Sequence, residues 1–388
     1  MSTISWTEEA VIRSARWHSE NSTTPPRRLI IADDRMRADT AYRLAREGTA
    51  LLWRGDFHNA RALLQAIGRR VDRATRRAVS DPGEAFGRHR RARRHRAMVL
   101  GKLVVQLEAD HSLALRRAPD VRKECAQAYG DPHEPRIVSL TELLGVIGAY
   151  RWRVEGVEVP ALGARIHPHY GVFSPVRGEY VELVAHAPLP TPAARTAFDL
   201  GTGTGVLAAV LAKRGFAHIV ATDNSPRALA CARDNVDRLN LAEQIDIVGP
   251  ALFPAGRADL VVCNPPWIPA IPTSAVENGV YDRDSRMLRE FLTGLPASLE
   301  PGGEGWLILS DLAEHLGLRS RAELLDLIDA AGLHVLDKID TTPRHPKAVA
   351  GTDILHAARA REVTSLWRLR PSPGDATIAT RPNGRTGP

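Results

Sequence analysis

The sequence predicts an α/β protein whose C-terminal half is built on a parallel sheet. From residue 195 onward, strand-length apolar runs alternate with helix-length ones, as in repeated βα units. Gly201-Thr202-Gly203-Thr204-Gly205 stands between a strand-like run, Ala197-Phe198-Asp199-Leu200, and a helix-like one that Gly215 closes. A second apolar run, Leu260-Val261-Val262-Cys263, ends on Asn264-Pro265-Pro266-Trp267.

The elements follow in order. Residues 1–26 are polar and end in Thr24-Pro25-Pro26, which predicts a short helix and then a break. Residues 41–46, 57–66 (with Asp56 as a cap) and 97–115 carry apolar residues at three-to-four spacing. Residues 1–135 are therefore expected to be an Arg-rich, mainly helical N-terminal domain, closed by Asp131-Pro132 and Glu134-Pro135. A helix over 138–149 and a hairpin from 154–159 and 164–167 make 136–190 a linker. Residues 191–370 form the α/β domain. Its fifth strand is expected at 306–309 after the Gly302-Gly303 turn, and 333–337 and 363–369 as a closing antiparallel pair. The tail, 371–388, lacks apolar periodicity and is expected to be disordered. There is no internal repeat.

Two segments carry chemistry. A strand, a glycine turn and a helix form a nucleotide-type binding turn, where missing side chains let a ligand approach the backbone. A second strand, His218-Ile219-Val220-Ala221-Thr222, ends at Asp223, an acid placed about 20 positions after the glycines to accept from ribose hydroxyls. Ser225 caps the next helix, with Pro226 at its first position. Asn264-Pro265-Pro266-Trp267 sits where ligands bind in open α/β sheets, at the carboxyl end of a strand. The prolines remove two donors and leave carbonyls free to accept. Asn264 adds a side-chain acceptor, and Trp267 a flat plate. Together they make a cradle for a planar group bearing an NH2.

The glycine pattern is G-x-G-x-G, with Asp199 two residues ahead and Val206 where a dinucleotide turn has its last glycine. This resembles the class I S-adenosylmethionine-dependent methyltransferases. The resemblance covers about residues 150–370 and implies a Rossmann-like seven-stranded methyltransferase sheet with S-adenosyl-L-methionine as cofactor. It places Asp199 near the methionine end of the cofactor and Asp223 at the ribose. Phe173, Gly201, Thr202, Gly203, Gly205 and Asn224 complete the expected cofactor set. Asn264-Pro265-Pro266-Trp267 resembles the signature of the amino-methylating branch, whose members methylate base amines or glutamine amides. Tyr170-Gly171-Val172-Phe173-Ser174-Pro175 is similar to the lead-in of the small-domain ribosomal RNA guanine and release-factor glutamine methyltransferases. The resemblance therefore implies an N-methyltransferase, with an exocyclic amine of an RNA base as the expected substrate. A protein glutamine amide, a small-molecule amine and a non-catalytic RNA- or ribosome-binding sensor of the cofactor are the alternatives. A dehydrogenase would need the other glycine spacing. One departure is Gly249-Pro250, where many relatives carry Gly-Asp and the acid contacts adenine.

Charge and cysteines set the expected partners. The 388 residues carry a net charge of +7, and residues 61–96 hold twelve arginines against Asp72, Asp81 and Glu84. Arginine clusters are the footprint of phosphate binding. Arg90, Arg91, Arg93 and Arg94 are thus expected to form an arm for RNA or the ribosome, with an acidic protein surface as the other partner that suits the charge. Cys125, Cys231 and Cys263 are scattered, without a CxxC pair, which argues against a disulfide framework or a zinc site. His167 and His169 lack a third ligand nearby, and Asp282 and Asp284 lack the spacing of a calcium loop, so no metal is expected. Arg344-His345-Pro346-Lys347 is read as substrate-side or as a plain surface loop. No run of 18 apolar residues and no basic-then-apolar leader is present, so no membrane partner and a cytoplasmic setting are expected.

Overall fold

The computed structural model describes residues 2–74, 81–131, 133–176, 178–191, 193–274, 276–342 and 356–373. The expectations for 344–347 and for most of the 371–388 tail lie outside the described residues. The chain forms two compact units. The first takes the chain as far as Val176, together with Ile271–Tyr281. The second takes Arg177–Ala270 and the segments that begin at Asp282 and Glu362.

In the first unit Ile4 and Trp6 are buried between exposed neighbours, so Thr3–Glu8 is a one-faced strand, β1. It pairs antiparallel with β2 (Val11–Trp17). Then come β3 (Arg28–Ala32), α1 (Ala38–Arg46), β4 (Thr49–Trp53), α2 (Phe57–Ala74), α3 (Pro82–Leu100), β5 (Leu103–Leu107), α4 (Arg122–Tyr129), β6 (Arg136–Ser139) and α5 (Leu140–Glu155). The six strands make one mixed sheet in the order β1-β2-β6-β5-β4-β3. Helices hold more of residues 1–135 than strands do, but a sheet that was not expected joins them, and strands replace the short helix expected in 1–26 and part of the helix expected over 97–115. Residues 97–115 repeat apolar side chains at a spacing that suits a helix. The chain instead leaves α3 at Gly101, and Leu103-Val104-Val105 are buried on both faces of the sheet, where a continuous apolar run fits a central strand. Asp56 does cap as expected, accepting from the His58 N–H at 2.9 Å. The Arg117 guanidinium grips the same carboxylate and holds it down to about 2. Ser139 accepts from Glu142 N–H at the head of α5. β7 (Val157–Val159) and β8 (Ala164–Ile166) form the antiparallel hairpin expected there. β6, α5 and this hairpin all belong to the first unit, and the chain passes to the second after Val176.

The second unit opens with α6 (Glu179–His186), then β9 (Thr196–Leu200), α7 (Val206–Lys213), β10 (His218–Thr222), α8 (Pro226–Arg238), β11 (Ile245–Val248) and β12 (Ala258–Cys263). It continues through α9 (Arg286–Ser298), β13 (Leu299–Ser310), α10 (Leu312–His315), α11 (Arg321–Ala330), β14 (Leu333–Thr341) and β15 (Thr364–Pro371). The sheet order is β11-β10-β9-β12-β13-β15-β14. The first five strands run parallel, and β15 alone runs against them, antiparallel to β13 on one side and to the edge strand β14 on the other. This is the expected Rossmann-like seven-stranded sheet, closing pair included. α7 buries Val206, Leu207, Ala208, Ala209, Val210, Leu211 and Ala212, and its apolar character is that of a helix sunk against the sheet. In α9, Leu288, Phe291, Leu292 and Leu295 recur at three-to-four spacing and face the core.

Glu304 is fully buried midway along this sheet's long strand β13. Both its oxygens accept from Arg368 at 2.9 Å, and Arg370 and the Trp306 indole add bonds at 3.1 and 3.2 Å. Removing the carboxylate leaves two guanidiniums facing a neutral group. Glu304→Gln is expected to destabilise the protein by about 3 kcal/mol in denaturant melts. A loss under 0.5 kcal/mol (roughly the scatter of neutral surface changes) would mean that the arginines find solvent instead.

Candidate functional site

The site is assembled by strand register. Leu200, the last residue of β9, is paired with Thr222 on β10 and with Cys263 on β12. The residues that follow these three are Gly201, Asp223 and Asn264. They therefore emerge side by side at the carboxyl edge of the parallel strands. β9 and β12 are also where the strand order reverses, the crevice in which open α/β sheets bind ligands.

Each residue is held by short-range chemistry. Gly201, Gly203 and Gly205 have φ of 72°, 56° and 81°. A Cβ on Gly201 would collide with Met287 Cε, whereas one on Gly203 would meet almost nothing. The turn thus requires glycine for conformation at all three positions and leaves open space beside Gly203. Thr202 N–H donates to Thr222 O at 2.8 Å, which stitches the turn to the neighbouring strand end. Asp199 is buried, and its Oδ2 accepts from Thr202 Oγ1 at 2.6 Å and from Ala208 N–H at 3.0 Å. Burial outweighs these bonds and pushes the Asp199 carboxyl up to about 6. Asp223 is half-buried and pushed upward by burial too. Its oxygens accept from Gly203 N–H at 3.1 Å and Ser225 N–H at 2.8 Å. Asn224, next to it, is exposed. Ser225 accepts from Ala228 N–H and caps α8, with Pro226 following.

The Asn264-Pro265-Pro266-Trp267 turn differs in one respect from an open cradle with a separate aromatic plate. The Trp267 indole N–H donates to Asn264 Oδ1 at 2.8 Å. Trp267 is half-buried and packs on the core that holds Phe198 and Leu288. The bond orients the Asn264 amide and leaves its oxygen one further lone pair. Arg319, missed in the sequence, is buried and bridges this turn. Its Nη2 reaches Trp267 O at 3.4 Å, and its Nη1 donates to Ser285 Oγ at 3.1 Å. Nothing in its sequence context marks it apart from other arginines. Cys263 is buried, and burial raises its thiol well above the ordinary range, so it is no nucleophile.

Five other expected site residues belong to the first unit. Phe173 is in the first unit, against Gly279. Arg90, Arg91, Arg93 and Arg94 are on α3 of that unit, and Arg91, Arg93 and Arg94 are exposed. Gly249-Pro250 follows β11. A Cβ on Gly249 would stand 2.7 Å from Asp223 O, so the chain there lies tight against the end of β10. Among the described residues no group of three or more His, Cys, Asp or Glu is arranged to hold a metal ion. No described helix is long and apolar enough to cross a membrane.

The family model for the methyltransferase small domain matches residues 163–321. That segment is similar to the family over less than half of the chain. The family is S-adenosylmethionine-dependent and of class I fold, which agrees with the strand order above. Among curated relatives, the chain is 35% identical over 166 residues to the release factor glutamine methyltransferase of Cereibacter sphaeroides, covering 39% of this chain and 57% of that one. It is 37% identical over 155 residues to the enzyme of that name from Xylella fastidiosa, covering 36% and 53%. It is 28% identical over 185 residues to the tRNA1(Val) (adenine(37)-N6)-methyltransferase of Shewanella loihica, covering 45% and 72%. The chain thus spans little more than half the length of these glutamine methyltransferases. The small-domain match includes every strand end named above.

Asp199 offers a direct test of the buried charge. Burial pushes the folded carboxyl up to about 6 from about 3.9 in the unfolded chain, so the Asp199 contribution to stability is fully present below about pH 4 and is lost as pH rises through about 6. Asn in its place keeps one oxygen for both Thr202 and Ala208. Asp199→Asn is expected to be more stable than wild type at pH 7 by about 1–3 kcal/mol, with the gap closing as pH falls to about 4. A variant less stable at pH 7 would show that the fold needs the charge.

Proposed function

We propose that this chain transfers a methyl group from S-adenosylmethionine to a planar NH2 nitrogen held by Asn264-Pro265-Pro266-Trp267. The observation that carries this reading is the register that sets Gly201, Asp223 and Asn264 just beyond the paired residues Leu200, Thr222 and Cys263. The residues fit the cofactor. Asp223 is pinned by two backbone N–H groups and remains partly open to accept from a diol. The space beside Gly203 admits a ligand against the backbone. When bound, S-adenosylmethionine supplies an electrophilic methyl group on a sulfonium.

The chain's own residues act by position. An amide or aryl amine nitrogen is a weak nucleophile because its lone pair is conjugated. The remaining lone pair of Asn264 Oδ1 and the Pro265 carbonyl accept the two N–H groups and turn the nitrogen lone pair out of conjugation. Trp267 keeps the Asn264 oxygen aimed while its ring edge lines the turn. Asp199 keeps the glycine turn in shape through Thr202 and Ala208.

The primary amide of a protein glutamine is the substrate this reading favours. The relatives named for release factor glutamine methylation support it. So does the engagement of Arg90 inside the chain, which removes one cation from the expected RNA arm. A base amine in RNA is the second reading. Exposed Arg91, Arg93 and Arg94 support it, as does the relative named for tRNA adenine methylation. Three buried cysteines, none in a disulfide, suit a reducing compartment, and we place the protein in the cytoplasm.

Two substitutions test the reading. With radiolabelled S-adenosylmethionine and a lysate from cells lacking the protein, wild type should label a protein or an RNA fraction. Asn264→Ala should lose about 100-fold or more of that transfer while binding the cofactor normally. Equal transfer by wild type and variant would remove Asn264 from the chemistry. Asp223→Ala should weaken cofactor binding by about 1.5–3 kcal/mol in calorimetry. Undiminished affinity would take the ribose contact away from Asp223.

A further inference from the structure

We propose that Arg90 is a positioning residue that clamps Ile271–Tyr281, the segment that follows the Asn264-Pro265-Pro266-Trp267 turn along the chain. The inference rests on the methyltransferase reading above. It assigns Arg90 a part that the arginine run does not announce.

The path of the chain makes the case. Directly after Trp267, the Ile268 carbonyl accepts from Asp282 N–H at 3.0 Å. That bond closes the neck of a loop. Between the two residues, Ile271–Tyr281 belongs to the N-terminal unit, although its flanks belong to the other. Arg90 holds this segment at its beginning, middle and end. Nη2 donates to Ile271 O at 2.6 Å, and Nη1 pairs with Glu277 Oε2 at 3.0 Å. The guanidinium carbon lies 3.9 Å from the Tyr281 ring centroid. Glu277 passes the constraint on, since the same oxygen accepts from Thr273 N–H at 2.8 Å and Thr273 Oγ1 at 2.7 Å. Phe173 backs the loop from another side, where a Cβ on Gly279 would come within 2.7 Å of Phe173 Cβ.

These contacts are too dry and too convergent for a surface ion pair. The Arg90 and Glu277 side chains are only 12% and 16% exposed, so solvent screens their attraction little. Only a planar guanidinium can stack on a ring and donate from two nitrogens at once. By contrast Arg91, Arg93 and Arg94 are exposed, and none shows an ion pair among the described residues. Ile271 lies four residues beyond Trp267, a stretch of at most about 14 Å. The clamped segment therefore begins only a short tether beyond the cradle along the chain.

The test uses the full chain with Arg90→Ala, Arg90→Lys and Glu277→Gln, and reads hydrogen exchange of the 271–281 amides beside methyl transfer. Lysine keeps the charge and covers the case in which the alanine variant fails to fold. Exchange in 271–281 is expected to speed up about tenfold or more in Arg90→Ala and to rise partway in the other two. Transfer should fall about tenfold, with cofactor affinity by calorimetry unchanged. Unaltered exchange in all three variants overturns the clamp. Faster exchange with full transfer overturns the positioning role and leaves a structural contact. Weaker binding of RNA by Arg90→Lys with an unaltered loop makes Arg90 a phosphate contact and also overturns the proposal. Asn264→Ala separates the two ideas. It should abolish transfer and leave 271–281 exchange as in wild type, so a failed methyltransferase reading shows in transfer alone.

Discussion

Everything in the second unit hangs on the central strand β9. Leu200 is paired on both sides, to Thr222 and to Cys263, and is wholly buried. A strand flanked by parallel neighbours and covered on both faces can tolerate no slip in register, because a shift of one residue would turn its side chains to the opposite face. That rigidity is what brings a glycine turn, an acid and an asparagine from distant parts of the chain to one edge. The other end is secured as well. Asp259 on β12 accepts from the Arg195 and Thr196 backbone N–H groups at 2.8 and 2.9 Å, tying β12 to the start of β9.

The site is costly to build and is stabilised by what surrounds it. Asp199 is held in a dry interior near its own titration point, supported by Thr202 and the first turn of α7. Three left-handed glycines let the chain double back where Met287 leaves no room for a side chain at Gly201. Asp284 and Ser285, just ahead of α9, also have left-handed φ, at 58° and 53°, and are not glycines. Arg319 bonds Ser285 and the Trp267 carbonyl at once. Strained backbone held by a buried cation next to the Asn264 turn fits a place where geometry matters more than local stability.

The arginine run divides its labour. Arg88 and Arg96 pair with Glu84 and Asp72, and Arg90 with Glu277, so much of its charge is met within the chain. Net charge counted along the sequence therefore overstates what the helix offers a polyanion. It does not remove the exposed set at Arg91, Arg93 and Arg94, which keeps an acidic partner open to this unit.

The local order of the C-terminal half was legible because its signals are short-range. A buried parallel strand is a continuous apolar run, a left-handed turn needs glycine, and a helix start needs Ser225 with Pro226. Those rules place Asp199, Asp223 and Asn264 without knowledge of their neighbours. The N-terminal sheet was not legible in the same way. Leu103-Val104-Val105 and Ile4-Ser5-Trp6 are too brief for periodicity to separate strand from helix, and pairing with distant strands settles the matter. The bond from Trp267 to Asn264, the reach of Arg319 and the grip of Arg90 on Ile271, Glu277 and Tyr281 were also invisible. Arg90 and Glu277 stand 187 positions apart, and only the folded chain brings such groups within bonding distance. Chemistry carried by residue type and adjacency is written along the chain, whereas chemistry carried by long-range contact exists only once the sheet has set the distances.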